Sequence, residues 1–347
     1  MVPVSIISTA SILPPATISN VEIVELLIKG AHKRKVFNPD AESRARDRAK
    51  LIEQKTGLKS RRFFDKKESP VDVGVSMLQK LMVDQDWSNL DAVIVSSSSI
   101  QGFPGLSQQI IADLREDHPE LGNPFVLDIG SNACTGFMYA MTIGQSLVQA
   151  MGFRKVALIA VEFSSRCIRY DPTAFGISTL FGDAAAGMLI APNTTGIGTL
   201  VSSRATSMVD RESMAYVKGA GVLASELTSA VPENARWYMA GPPVAVGAVK
   251  ILVEEIKHYQ DLGHTIDWLI PHQANLTRIL LPACKTVNID PSKLCASFAE
   301  TGNTSSASVP YLFDQLVQQK RPKAGDTALL IGFGASFSIG SALIRFS

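Results

Sequence analysis

The 347 residues are 46% hydrophobic and 19% charged, a balance that excludes a disordered chain and provides for a large buried interior. A formal charge of +1 gives no overall field for nucleic acid, and no basic stripe with interleaved aromatics replaces it. The four cysteines, Cys134, Cys167, Cys284 and Cys295, have no CxxC spacing and are too few for a disulfide scaffold, which fits reduced thiols and a cytoplasmic setting.

The N-terminal Met-Val-Pro-Val-Ser-Ile-Ile-Ser is apolar with no positive charge before it, and Pro14-Pro15 interrupts it before a signal-peptide core could form; it reads as a first strand. No run reaches the roughly 18 apolar residues that cross a bilayer, so no membrane span is expected. From Lys33 to Asp65, eleven Lys and Arg stand against five Asp and Glu. This stretch reads first as a solvated helix face, and second as a dock for a phosphate-bearing ligand or an acidic carrier. β-Branched runs at 91–99, 124–129 and 155–163 then alternate with a segment of helical period after Cys134, an α/β pattern with buried strands. The alternation returns with 266–275, a helical stretch from Ser306, and a last buried run from Thr327.

Laying Thr327-Ala-Leu-Leu-Ile over Lys155-Val-Ala-Leu-Ile sets Ser306 opposite Cys134, each opening a helix after a strand and a turn. The chain is therefore expected to be duplicated, with halves at 1–195 and 196–347 and a reactive centre where the two helix starts converge near a pseudo-twofold axis. Ser202 to Gly241, rich in Gly and Pro, reads as a looped excursion shaping a substrate entrance.

Cys134 follows Leu127-Asp-Ile-Gly-Ser-Asn-Ala, a strand end and a small-residue turn. There a helix dipole and unpaired amides are expected to favour thiolate, lowering the pKa from about 8.5, and to donate to an oxyanion on an attached carbonyl. His272, in Pro-His-Gln-Ala-Asn after a buried run, belongs at the carboxyl edge of a strand, where α/β sites gather. His32, His118, His258 and His264 stand among charged or polar neighbours and read as surface residues. Asn303, in Gly-Asn-Thr-Ser-Ser-Ala-Ser, is either a helix cap or an uncharged amide donor for a developing enolate. Gly332-Phe-Gly-Ala-Ser-Phe is a glycine turn after the last buried strand.

The Cys134 turn, the His272 and Asn303 motifs and the Gly332 turn occur in an order and spacing that resembles the β-ketoacyl-acyl carrier protein synthase III family along essentially the whole chain. Thr56-Gly-Leu-Lys-Ser-Arg-Arg and Leu180-Phe-Gly-Asp-Ala-Ala-Ala-Gly add to the likeness. The resemblance implies a thiolase fold, two duplicated βαβαβαββ halves in five α-β-α-β-α layers, with no cofactor and no metal. It implies that Cys134 takes an acyl group as a thioester, with the backbone amides of Cys134 and Ala335 as oxyanion donors, and that His272 and Asn303 stabilise the enolate of a decarboxylating malonyl thioester. Fatty acid or polyketide and secondary-metabolite biosynthesis is the implied setting. Ala335 stands where the family usually has Gly.

Implied partners are an acyl carrier protein or acyl-CoA, a malonyl thioester and a second copy of the chain, whose acyl pocket Phe103 would close. Leu51 and Phe175 occupy positions where acetyl-CoA-primed members tend to sandwich the adenine with Trp and Arg, which turns the expected donor away from CoA. Arg62 and Asn275 fall at further substrate-binding positions. Val246 and Thr277 stand where carrier-docking basic residues are frequent, with Arg278 and Lys285 nearby. Ala245 and Gly247 replace bulkier residues and imply a wider acyl tunnel. Two other readings stay open: acyl transfer from Cys134 to an alcohol, an amine or a β-ketoacyl chain without decarboxylation, and an inert subunit that shapes another synthase's pocket.

Overall fold

The computed structural model describes residues 2–33, 39–99, 102–168, 170, 175–208, 215–217, 237–239, 241–334 and 337–347. In chain order, the first part holds β1 (Val4–Ile12), β2 (Thr17–Ser19), α1 (Asn20–Lys33), α2 (Pro39–Thr56), β3 (Ser60–Arg62), α3 (Pro70–Leu81), β4 (Ala92–Ser96), α4 (Leu106–Asp117), β5 (Phe125–Ile129), α5 (Gly136–Met151), β6 (Val156–Glu162), α6 (Ser164–Cys167), α7 (Phe175–Ser178) and β7 (Ala184–Pro192). The rest holds β8 (Gly198–Ser207), β9 (Ala215–Val217), β10 (Trp237–Met239), α8 (Gly241–Asp261), β11 (Trp268–Pro271), α9 (Leu281–Thr286), α10 (Phe298–Thr301), α11 (Ser308–Gln318), β12 (Thr327–Phe333) and β13 (Ser338–Phe346). Local chemistry sets several boundaries. Ser69 caps α3 by accepting from the Val71 amide ahead of Pro70, and Gly152 ends α5 at φ 71°, a conformation glycine adopts without steric cost.

Nine strands form one sheet in the order β11-β12-β13-β8-β1-β7-β6-β4-β5. Its two arms repeat each other outward from β1 and β8, which meet over Val4 to Ile6 against Leu200 to Gly198. In one arm β4 and β6 are parallel and β6 and β7 antiparallel; in the other β11 and β12 are parallel and β12 and β13 antiparallel. The second arm departs from strict duplication at its outer edge. Where β5 lies on β4, only an isolated parallel bridge from Leu294 reaches Leu269. A 3-10 turn over Pro291–Lys293, capped by Asp290 and led by a proline with no N–H to give, occupies the chain just before that bridge.

Strand periodicity then builds the layers. On β6, Val156, Leu158 and Ala160 join the central core with Phe137 and Met141 of α5, while Ala157, Ile159 and Val161 face an outer core with Met77 of α3 and Ile110 of α4. On β12, Ala328 and Leu330 enter the same central core with Val309 and Phe313 of α11, while Leu329 and Ile331 pack outward on Ile251 of α8 and Ala283 of α9. The result is helix, sheet, helix, sheet, helix, with α5 and α11 in the middle. Each fully buried Ile or Leu in these cores contributes about 1.5–3 kcal/mol. Among the described residues no helix is long and apolar enough to cross a membrane.

Candidate active site

The start of α5 is reached through a 3-10 turn over Ala133–Thr135, with Ala133 held at φ 49°. The start of α11 is reached through a 3-10 turn over Ser305–Ala307, with Ser305 at φ 51°. Two non-glycine residues in the left-handed region cost about 1–2 kcal/mol each, and both lie one position before the pair Cys134 and Ser306. The turns converge: Ser305 Oγ donates to Cys134 Sγ at 3.5 Å. The C-terminal glycine turn closes on the same point. Thr135 Oγ1 donates to the Ser338 carbonyl at 3.0 Å, and Ser338 Oγ donates to the Asn132 carbonyl at 3.1 Å. A Cβ on Gly334 would meet the Asn132 carbonyl at 2.7 Å, so this position must be glycine. Ala335, the expected second oxyanion donor, lies outside the described residues.

Cys134 differs from its expected resting state. Although the residue is only half-buried, the protein around its sulfur pushes the thiol from 9.0 up to about 12; burial is the main cause and the charge of Glu162 adds to it, against hydrogen bonds from Ser305 and from Cys134's own amide. A helix start is worth about 0.3–1 kcal/mol, less than one pKa unit, and is too weak to reverse that. Cys134 therefore rests as a thiol.

His272 directly follows β11, where its N–H continues the ladder to the Ile331 carbonyl at 2.7 Å. Its ring is edge-on to Phe333, centroids 5.0 Å apart, and Nδ1 lies 2.8 Å from Ser308 Oγ. Burial pushes its pKa down to about 3, so the ring is neutral at pH 7. The single Ser308 proton has two acceptors, Nδ1 and the Ser305 carbonyl at 3.0 Å. Donation to Nδ1 places the ring proton on Nε2, whereas donation to the Ser305 carbonyl places it on Nδ1, facing Ser308 Oγ. The next residue, Gln273, is structural: its Oε1 accepts the Ser297 and Phe298 amides, and its Nε2 donates to the Pro271 carbonyl. Asn275 accepts the Arg278 amide as a cap.

Asn303 is held from three sides. Its N–H donates to the Leu180 carbonyl at 2.8 Å, its carbonyl accepts from Gly182 N–H at 3.0 Å, and its Oδ1 accepts from Ser305 N–H at 2.9 Å. Fixing Oδ1 in this way assigns the amide orientation and leaves the NH2 group as a donor. The approach needs glycines: a Cβ on Gly182 would stand 2.2 Å from the Thr301 carbonyl, and Gly302 sits at φ 68°. The two readings of Asn303 are compatible: its Oδ1 accepts the amide two residues ahead, as a cap does, while its NH2 group stays available as a donor.

A cavity of about 460 Å³ is lined among others by Asn303, Leu51, Phe175, Ala245 and Asn275, with Lys55 and Arg278. Four expectations need correction. Arg62 does not line the cavity, because its guanidinium donates to the Pro14 and Pro15 carbonyls. Gly247 does not widen a tunnel, because the Phe337 ring fills the space a Cβ would take, at 2.3 Å. The basic stretch is not one solvated face: Arg61 is fully buried, donating to Asn20 Oδ1 and the Thr179 carbonyl. The excursion begins later than expected, since β8 carries the sheet to Ser207; of its later part only the β9–β10 pair is described. Phe103 is fully exposed.

Comparison with known proteins decides the lineage. Residues 127–208 match the family model of 3-oxoacyl-[acyl-carrier-protein] synthase III, and residues 263–346 match that family's C-terminal model. The β-ketoacyl-[acyl-carrier-protein] synthase III of Pasteurella multocida is 29% identical over 318 residues, covering 89% of this chain and 94% of its own. This chain belongs to the β-ketoacyl-acyl carrier protein synthase III family. It is a condensing enzyme of acyltransferase type. The fold agrees: the synthase III of Aquifex aeolicus superposes with a TM-score of 0.80 at 21% identity over 99% of this chain and 100% of the other. The priming β-ketosynthase of the R1128 polyketide pathway does so with 0.74 at 26% identity, over 99% and 96%.

One charged group of this synthase III chain escaped sequence reasoning. Glu162, the last residue of β6, is fully buried and accepts from Ser98 N–H at 3.1 Å, Ser99 Oγ at 3.0 Å and Ser306 Oγ at 2.6 Å. The available signal was an acid ending the apolar run Val156-Ala-Leu-Ile-Ala-Val, with a serine cluster at 96–99 on the adjacent parallel strand. Ser306, the counterpart of Cys134, binds this carboxylate.

Proposed function

We propose that the chain loads an acyl group onto Cys134 as a thioester and joins it, with loss of carbon dioxide, to a malonyl thioester, giving a β-ketoacyl thioester for fatty acid or polyketide synthesis. The observation that carries this reading is the orientation of Asn303, a residue lining the cavity, whose oxygen is tied to Ser305 N–H while its NH2 group is left to donate. Together with a neutral His272, that donor suits an enolate forming in a dry site. Acyl transfer to an alcohol or amine needs no such donor. Backbone N–H groups of Cys134 and Ala335 would hold the oxyanion of the acylation step.

Lys55 and Arg278 along the cavity suit the phosphate of a phosphopantetheine arm. Leu51 gives no flat surface on which to sandwich a nucleotide base, which favours a donor carried by an acyl carrier protein. Exposed Phe103 supports a homodimer in which that ring enters the partner. The turn between β7 and β8 supports a division into halves at 195/196. Intact-protein mass measurement after incubation with acyl thioesters tests the reading: an acyl adduct on Cys134 that malonyl-carrier protein discharges as β-ketoacyl product is expected. No adduct with any thioester, or discharge without carbon dioxide release, overturns it.

A further inference from the structure

Glu162 connects to the Cys134 sulfur through two hydroxyls. Glu162 Oε1 lies 3.0 Å from Ser98 Oγ, Ser98 Oγ lies 2.8 Å from Ser305 Oγ, and Ser305 Oγ lies 3.5 Å from Cys134 Sγ. Each hydroxyl has one proton, so the chain has two self-consistent states. In one, the Ser305 hydroxyl turns its proton from Cys134 to Ser98, the thiol donates to Ser305, and Ser98 donates to a carboxylate. In the other, a protonated Glu162 donates to Ser98, Ser98 to Ser305 and Ser305 to a thiolate. The two differ by one proton shifted along the line.

We propose that Glu162 takes the Cys134 proton through Ser305 and Ser98 and holds it for the lifetime of the acyl-enzyme. The inference rests on Cys134 being the acylated residue. In acylation the S–H bond of Cys134 breaks, the proton arrives at Glu162, and the sulfur attacks the donor carbonyl; the donor's C–S bond breaks and its thiolate takes a proton from water. In condensation the malonyl carbanion attacks the acyl carbon and expels the Cys134 thiolate, and Glu162 returns the proton by the same line. The cycle consumes one proton, the one that ends on the released donor thiol, as loss of carbon dioxide from a carboxylate requires.

Charge counting favours Glu162 over His272 as acceptor. A proton moved from Cys134 to His272 would make a buried thiolate and a buried imidazolium while Glu162 stays charged. Moved to Glu162, it exchanges one buried anion for another, so no further ion is desolvated. Burial pushes both Glu162 and Cys134 upward, in keeping with a site that tolerates a single negative charge. Ser306 and Ser99 hold the carboxylate at the end of the line.

The full-length protein is acylated with a hexanoyl thioester of N-acetylcysteamine, and Cys134 loading is timed by quenched mass measurement. Glu162→Gln should slow loading about a hundredfold, and Ser98→Ala, which keeps the carboxylate and cuts the line, by about tenfold or more. Infrared difference spectra of the wild type should gain a protonated-carboxyl C=O band on acylation, shifted in D2O and missing in Glu162→Gln. A merely structural Glu162 would give no such band. Wild-type loading without the band, or loading of both variants at the wild-type rate, overturns the relay and leaves the acyl-Cys134 reading standing; a wild type that never loads overturns that reading instead.

Discussion

The two turns that open α5 and α11 share a backbone and differ in chemistry. The first follows strand β5 and the second follows α10, yet both place a non-glycine residue near φ 50° and both present the next side chain at the middle of the molecule. In one that side chain is the Cys134 thiol, touched by the Ser305 hydroxyl; in the other it is the Ser306 hydroxyl, bound to the Glu162 carboxylate. Geometry alone therefore does not make a nucleophile. The partner beside the side chain decides, and each half supplies the other's partner: Ser305 comes from the second half to Cys134, Glu162 from the first to Ser306.

The largest effect comes from removing the thiol. Cys134→Ala should abolish the acyl adduct and lower condensation by about 10⁴-fold or more, because covalent catalysis is lost outright; rates from product formation and intact mass check both. Asn303→Ala comes next. It should leave loading of Cys134 nearly unchanged and slow decarboxylation by about 10²–10³-fold, the loss typical for one donor to a developing anion. Measuring adduct formation separately from carbon dioxide release splits the two steps, and equal loss in both would deny Asn303 its separate role.

Much of this contrast was legible before any coordinates. Strand periodicity located the runs at β4, β6, β11 and β12, and the overlay of Thr327 on Lys155 paired Cys134 with Ser306, the same pair that the two left-handed residues precede. Motif order singled out His272 and Asn303, and Asn303 lines one cavity together with Leu51, Phe175, Ala245 and Asn275. What stayed hidden depends on three-dimensional surroundings. Local sequence shows a helix start beside Cys134 but not the desolvation that outweighs it. Gly247 reads as empty space until Phe337, ninety residues away in sequence, fills it. Glu162 looks like the polar end of a strand, and only the fold gathers Ser98, Ser99 and Ser306 around it.

The buried groups of the two halves also respond oppositely to acid. His272, in the second, is pushed down to about 3, so it is neutral when folded and protonates on unfolding below its ordinary value of 6.5. Its contribution to stability is complete above pH 6.5 and is lost progressively as pH falls toward 3. Glu162, in the first, is pushed up by burial, so protonation relieves a buried charge and acid works in its favour. Between pH 7 and pH 5 the His272 effect alone lowers stability by about 2 kcal/mol. Urea unfolding at the two pH values should show that loss in the wild type and much less of it in His272→Gln; equal loss in both would place the acid sensitivity elsewhere.

The smallest effect tests the comparison most directly. Ser306→Cys gives the second turn the same thiol on the same backbone. The sulfur would stand where Ser306 Oγ now lies 2.6 Å from Glu162 Oε1, beside an anion in place of a hydroxyl donor. A thiolate there would put two negative charges in contact, so the thiol should stay protonated and inert. Exchanging a strong O–H donor for a weak S–H one should cost only about 0.5–1.5 kcal/mol in unfolding experiments. Peptide mapping after acyl loading should find one acyl group per chain, on Cys134, and none at position 306. In the double variant Cys134→Ala with Ser306→Cys no adduct should form. An adduct at position 306 would mean that the strained turn and helix start suffice to activate a thiol, and that the partners supplied by the opposite half do not set the difference between the two turns.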